Sequence, residues 1–280
     1  MHTLNLNILF SNGKMLPEKM LAKALPMLDA QIVDEIKAFL VKSMSPEGGF
    51  VNREGKPDLY YSLFGFFISR ALGMRKEEDA LRRFTEKTIL TVTPPSPDFF
   101  SGTILYGALH KSNVASRALK SKLKQHLFTG KASTDYQIFM AMLALFYLKD
   151  YFSLIRLINR FRKPDSNSKE PPSTILAASL VMEKIRGRPT ASLEKQLLTY
   201  YIKQGGFVAL KNAPIPDLLS TAVSLYALRF CGSDLRLISP DCIGFVEHLY
   251  QDGGFCATGL DTETDVEYLF YGLLALGCLS

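Results

Sequence analysis

Gly253-Gly254-Phe255, followed at Asp265 by an apolar run from Val266 to Leu279, is the stretch that decides the fold, because the chain carries it three times. Gly205-Gly206-Phe207 leads to Asp217 and a run from Leu218 to Phe230; Gly48-Gly49-Phe50 leads to Asp58 and a run from Leu59 to Leu72. A repeated supersecondary unit sets the architecture before any single residue is considered. Used as a ruler, the Asp position uncovers fainter copies. Asp98 precedes FFSGTILYGALHK, Asp135 precedes YQIFMAMLALFYL, and Glu170 precedes PPSTILAASLVM. The expected starts are therefore residues 58, 98, 135, 170, 217 and 265.

Each apolar run is about four helical turns long, too long for a typical strand and too short to cross a bilayer. None alternates with period two, so they read as helices. Between them lie segments with one charged face: Ala30–Lys42, Glu77–Leu90, Ala115–Phe128, Asp150–Phe161, Ser192–Lys203 and Pro240–Tyr250. A helix that is apolar all round must be buried on all sides. Six such helices alternating with six amphipathic ones predict an all-α fold, a single α/α toroid of six helical hairpins with inner and outer rings; the open solenoid is the competitor. The expected organisation is one domain over residues 1–280, with residues 1–29 an N-terminal extension packing on one end and a short helix over Pro17–Leu25. The most linker-like stretch, Lys163 to Pro172, falls where a hairpin loop belongs.

Composition agrees. A 280-residue chain that is 47% hydrophobic can fill two buried helix layers. Cys231, Cys242, Cys256 and Cys278 show no CxxC spacing, and no segment has a secretory signal pattern. They read as reduced thiols in a cytoplasmic protein. The net charge of +6 gathers at Arg117, Lys120, Lys122 and Lys124, and at Arg156, Arg160, Arg162 and Lys163. A solvated outer face accounts for them; peripheral contact with an anionic membrane, or an acidic partner, stays open. No nucleic-acid motif is present, so no nucleic-acid partner is expected.

The glycine pair permits backbone conformations closed to other residues, the following Phe can plug the gap between hairpins, and each Asp stands where an N-cap belongs. That capping role is expected of Asp58, Asp98, Asp135 and Asp217. More than half of the Phe and Tyr residues lie in the inner runs. They fit either ordinary core or an aromatic wall around an apolar ligand, whose faces can stabilise a carbocation. The densest polar cluster is Asp261-Thr-Glu263-Thr-Asp265-Val-Glu267-Tyr268. Asp265 reads as a cap, and Glu267 and Tyr268 fall in the first turn, where the helix dipole favours negative charge. Glu267 is either a helix-start charge or a buried acid that holds a proton for donation.

Tyr201-Ile-Lys-Gln-Gly-Gly-Phe207 with Asp217, and Leu249-Tyr-Gln-Asp-Gly-Gly-Phe255 with Asp265, resemble the repeat of protein prenyltransferase β subunits and squalene/terpenoid cyclases. The resemblance spans about residues 30 to 280. It implies an α/α toroid whose central cavity holds an isoprenoid chain. Prenyltransferase β subunits carry Asp-x-Cys-Tyr, with Asp, Cys and a later His on zinc. Here Asp265 and Tyr268 match, Glu267 replaces the Cys, and no His follows; His2, His110, His126 and His248 show no ligand spacing. The basic residues that bind diphosphate in that family are replaced by Gly259 and Thr262. No metal and no cofactor are therefore expected. Class II terpenoid cyclases carry Asp-x-Asp-Asp, whose middle acid protonates the substrate; Asp265-Val-Glu267-Tyr268 keeps the first acid and puts Glu at the donor position.

The expectation is an isoprenoid-processing enzyme, by acid-initiated cyclisation, with Glu267 and Asp265 as catalytic candidates. Tyr60, Tyr61, Gln137 and Tyr268, two or three places after their helix starts, are the substrate-binding candidates. The alternatives are a non-zinc prenyltransferase β-like protein, for which a partner subunit stays open, and a non-catalytic lipid-binding or interaction protein.

Overall fold

The computed structural model describes residues 16–111, 113–129, 135–160, 170–203 and 205–280. These residues are mostly helical, with thirteen α-helices among them. In chain order they are α1 (Pro17–Ala24), α2 (Ala30–Lys42), α3 (Leu59–Ala71), α4 (Glu78–Thr88), α5 (Pro97–Leu109), α6 (Val114–Thr129) and α7 (Asp135–Tyr147). There follow α8 (Tyr151–Arg160), α9 (Ser173–Ile185), α10 (Ala191–Leu198), α11 (Leu218–Cys231), α12 (Ser239–His248) and α13 (Val266–Leu279). None is long and apolar enough to cross a membrane. Contacts divide the chain into two compact units, one drawn from Met1–Val41 and Lys163–Ser280, the other from Lys42–Arg162.

In the second unit the apolar helices stand in a row, α3 against α5 and α5 against α7, with α4 and α8 packed on their flanks. Helix α3 is buried from Ser62 to Ser69 without a break, as its all-apolar surface requires. Helix α4 buries only Leu81, Phe84 and Thr85 and keeps Glu78 and Asp79 in its first turn and Lys87 in its last, where each charge suits the dipole. In the first unit the corresponding row is α9, α11, α13 and then α1. Helix α1 lies so close to α13 that a side chain at Gly277 would strike the backbone of Met20.

The glycine-phenylalanine phrases build small hairpins. Tyr201–Ile202 pairs antiparallel with Gly206–Phe207, and Tyr250–Gln251 with Gly254–Phe255. Met44 and Phe50 make a single bridge at the equivalent place in the first copy. The expected outer helices therefore stop early, at Leu198 and His248, and two-residue strands follow, each opening on a β-favouring Tyr. Gly48, Gly205 and Gly253 have φ of +96°, +84° and +84°, which other residues rarely adopt. Each also sits directly on a backbone carbonyl: Gly48 on Ala80 of α4, Gly205 on Asp241 of α12, and Gly253 on Glu35 of α2.

The phenylalanine that ends each phrase turns inward. Phe50, Phe207 and Phe255 are at most 1% exposed, and burying each contributes about 1.5–3 kcal/mol. The Phe50 ring covers Gly65 of α3 and the Phe255 ring covers Gly272 of α13. The Phe50 amide donates to Ser62 Oγ and the Phe207 amide to Thr221 Oγ1, both at 2.9 Å. Both hydroxyls lie four residues after the capping Asp, so hairpin and following helix are stitched in one register.

Candidate functional site

Three aspartates cap their helices as expected. Asp58 accepts from the Tyr61 amide at 2.7 Å, Asp217 from Ser220 at 2.7 Å and Asp265 from Tyr268 at 2.8 Å. The helices expected near 98 and 170 begin at Pro97 and Ser173, and the cap expected of Asp98 needs correction. Ser96 caps α5, accepting from the Phe99 amide at 3.2 Å, with Pro97 in the first helical position. Glu170 caps nothing: α9 begins at Ser173 after Pro172, and Glu170 accepts from Lys211 Nζ at 3.1 Å. The Asp135 side chain lies outside the described residues.

Asp98, displaced from the cap of its own helix, serves another. Its Oδ1 accepts from the amides of Leu59 and Tyr60, at 3.0 and 3.1 Å, and so finishes the first turn of α3. In the first unit a backbone carbonyl of the next repeat does this work: Ser173 N donates to Ala209 O and Leu218 N to Ala257 O, both at 2.9 Å. The start of α3 thus holds two carboxylates. Asp58 also accepts from Asn52 Nδ2 at 3.0 Å. Burial pushes the Asp58 carboxyl above the ordinary aspartate range, and the Asp98 charge adds to that push against the Tyr61 amide and the Asn52 amide. Sequence reasoning missed this pair. The signal was Ser96-Pro97, a cap followed by proline at the first helical position, which moves Asp98 inside the helix.

Tyr60 and Tyr61 belong to this end of α3. Tyr60 stands edge-on to Phe64, centroids 4.9 Å apart, and to Tyr61 at 5.8 Å. Both tyrosines are half-buried, as is Gln137 in α7 of the same unit. These edge-to-face pairs lie at the end of α3 whose amides Asp58 and Asp98 engage.

At α13 the acidic cluster separates into distinct roles. Asp261 orders the loop, accepting from the Glu263 amide at 3.1 Å and the Ala257 amide at 3.4 Å. Ala257 in turn accepts from the first amide of α11, so the loop is fixed to the neighbouring apolar helix. Glu263 is exposed, and Asp265 is 6% exposed. Glu267 and Tyr268 are half-buried in the first turn, and Tyr268 stands edge-on to Tyr271 with centroids 6.1 Å apart. Glu267, Asp265 and Tyr268 therefore share one helix start in the first unit, whereas Tyr60, Tyr61 and Gln137 lie in the second.

Burial pushes Asp217 above the ordinary range against the Ser220 and Ala209 amides. Burial likewise raises the thiols, Cys231 to about 11 and Cys242 and Cys278 to about 12, so they are protonated and inert at neutral pH. All four cysteines are free. Among the described residues no three His, Cys, Asp or Glu side chains gather to hold a metal ion. No protein-family model and no curated protein matches the chain.

Proposed function

We propose that the chain is an isoprenoid-processing enzyme of the terpenoid cyclase and prenyltransferase-like type, an α/α toroid holding an apolar substrate at its inner-helix starts. The observation that carries the reading is the seat of the last hairpin. Gly48 and Gly205 each rest on the outer helix that follows their own repeat, α4 and α12. Gly253, in the last repeat, rests on α2, the first outer helix of the chain. A last repeat that docks on the first is what a closed ring of hairpins requires and what an open stack forbids. Tyr250 reinforces it, donating to Glu35 at 2.6 Å as Tyr201 donates to Asp241 at 2.7 Å.

The chemistry follows from the start of α13. Asp265, engaged by the Tyr268 amide, fixes the first turn and so positions Glu267. Protonated Glu267 gives its proton to one carbon of an alkene, or to an epoxide oxygen. The positive charge then develops on carbon, aromatic faces of the same helix such as Tyr268 and Tyr271 stabilise it, and loss of a proton after ring closure restores neutrality. This route calls for no cofactor. A non-zinc prenyltransferase β-like protein with a partner subunit would use the same apolar site.

One observation favours a non-catalytic lipid-binding reading. Asp58, Asp217 and Asp265 all accept the amide three residues on, so the repeat's acids have helix-capping work whether or not a reaction occurs. The deciding experiment combines two measurements. Mass spectrometry of the purified protein seeks a bound isoprenoid, and turnover of isoprenoid alkenes and epoxides is compared between the native chain and Glu267→Gln. The enzyme reading expects turnover to fall about a hundredfold or more with apolar ligand binding retained. If lipid is absent and Glu267→Gln moves only stability, by about 0.3–1 kcal/mol, the enzyme reading fails.

A further inference from the structure

Two adjacent outer helices of the second unit differ from the rest. Helix α6 carries Arg117, Lys120, Lys122 and Lys124, α8 carries Arg156 and Arg160, and neither contains an Asp or Glu. Every other outer helix has acids: Asp34 and Glu35 in α2, Glu78, Asp79 and Glu86 in α4, Glu194 in α10, Asp241 and Glu247 in α12. The basic groups are also held in place. Arg156 stacks over the Phe128 ring at 4.4 Å, and Arg160 lies 5.7 Å from the same ring and donates to the Phe128 carbonyl at 3.0 Å. Lys124 pairs with Asp150, between α7 and α8, at 3.5 Å. Arg156 and Arg160 are therefore tied to the end of α6, and Arg117 and Lys120 stand on the same side of α6 as Lys124, one helical turn apart from one another. Arg162 and Lys163 lie outside the described residues.

That surface also exposes apolar side chains. Phe152 is 80% and Val114 72% exposed, and Tyr151 is 42% exposed at the start of α8. Phe152 and Arg156, four residues apart, share the outward stripe of α8, opposite buried Leu154, Leu157 and Ile158. An exposed aromatic ring beside two helices that carry basic residues and no acid of their own has a specific physical complement. Lipid phosphates meet the cations and the headgroup layer receives the ring. A polyanion without an apolar phase would satisfy the cations and leave Phe152 and Val114 in water.

We propose that the α6–α8 face docks on the surface of an anionic lipid bilayer, with Phe152 entering the headgroup layer and basic side chains of both helices lying against lipid phosphates. The inference stands apart from the isoprenoid reading, since it uses none of the inner-helix residues. The test is cosedimentation of the full chain with vesicles of phosphatidylcholine alone, or with about a third phosphatidylserine. Binding is expected only to the anionic vesicles, and about 0.5 M salt should release it. Phe152→Ser should weaken it about tenfold. Arg117→Gln, Lys120→Gln and Lys122→Gln together should weaken it about a hundredfold, near fivefold per charge. Both variants alter exposed or half-exposed side chains, and unchanged melting temperatures will show them folded. No binding to anionic vesicles overturns the proposal. So does binding that ignores both variants, or binding to heparin of equal strength that is indifferent to Phe152→Ser; the last would assign the face to a polyanion.

Discussion

Tyr250 donates its hydroxyl to the Glu35 carboxylate at 2.6 Å across 215 residues of chain. The contact holds the Glu35 carboxyl below the ordinary glutamate range, mainly through that bond and secondarily through Gln31. A carboxyl whose folded-state pKa is depressed adds stability above its unfolded value, and that stability disappears as pH falls through the depressed one. Tyr250→Phe should lower the melting temperature by a few degrees at neutral pH. The difference from the native chain should close below the ordinary glutamate range. Thermal melts at several pH values check this, and a difference that persists undiminished in strong acid rules it out.

The Asp58–Asp98 pair makes a second prediction. Burial is the larger cause of the raised Asp58 carboxyl, and the Asp98 charge is a smaller one. Asp98→Asn keeps an oxygen for the Leu59 and Tyr60 amides but removes the charge, so the Asp58 titration should move down. Carboxyl NMR titration reads it directly. Asp98→Ala removes both bonds and should cost about 1 kcal/mol of stability in a denaturant titration.

Glycines under phenylalanine rings behave differently from a glycine in open space. Gly65 and Gly272 face the rings of Phe50 and Phe255, whereas Gly244 in α12 has no neighbour within 4 Å of an added Cβ. Alanine at a helical position gains about 1 kcal/mol over glycine when nothing else changes. Gly244→Ala should therefore stabilise, by about 0.4–1 kcal/mol. Gly65→Ala and Gly272→Ala should destabilise, by about 1–3 kcal/mol of overpacking. Urea unfolding of the three variants side by side is decisive, because the same substitution must change sign.

Buried thiols should be silent. With Cys242 and Cys278 fully buried and pushed up to about 12, a thiol reagent at pH 8 should leave both unlabelled in the native chain and modify them after denaturation. Peptide mapping after labelling identifies the sites; fast native labelling of Cys242 would contradict the burial described here.

How far the sequence could be read depends on locality. Asp58, Asp217 and Asp265 were legible because a cap needs only an acid and the amide three residues on. Asp98 was not, since its partners lie in α3, 38 and 39 residues away, and only packing of α3 against α5 brings them together. The two-residue strands leave no periodicity to detect. The apolar helices announced themselves by hydrophobicity on every side, while the seat of Gly253 on Glu35 depends on a distant backbone carbonyl. At the candidate site, Asp265 and the first-turn positions of Glu267 and Tyr268 followed from spacing alone. The ordering role of Asp261 did not, because it works through Ala257 on the start of α11.

The seat of the last hairpin also has a consequence for synthesis. Helix α2 leaves the ribosome with Glu35 and then waits for a partner made 215 residues later. At about 5–20 residues per second that delay is roughly 10–40 s. Throughout it the place on α2 where Gly253 and Tyr250 settle stays unfilled. Nascent chains stalled before residue 250 should accordingly be good clients for a ribosome-associated chaperone, and release from it should coincide with emergence of the final repeat.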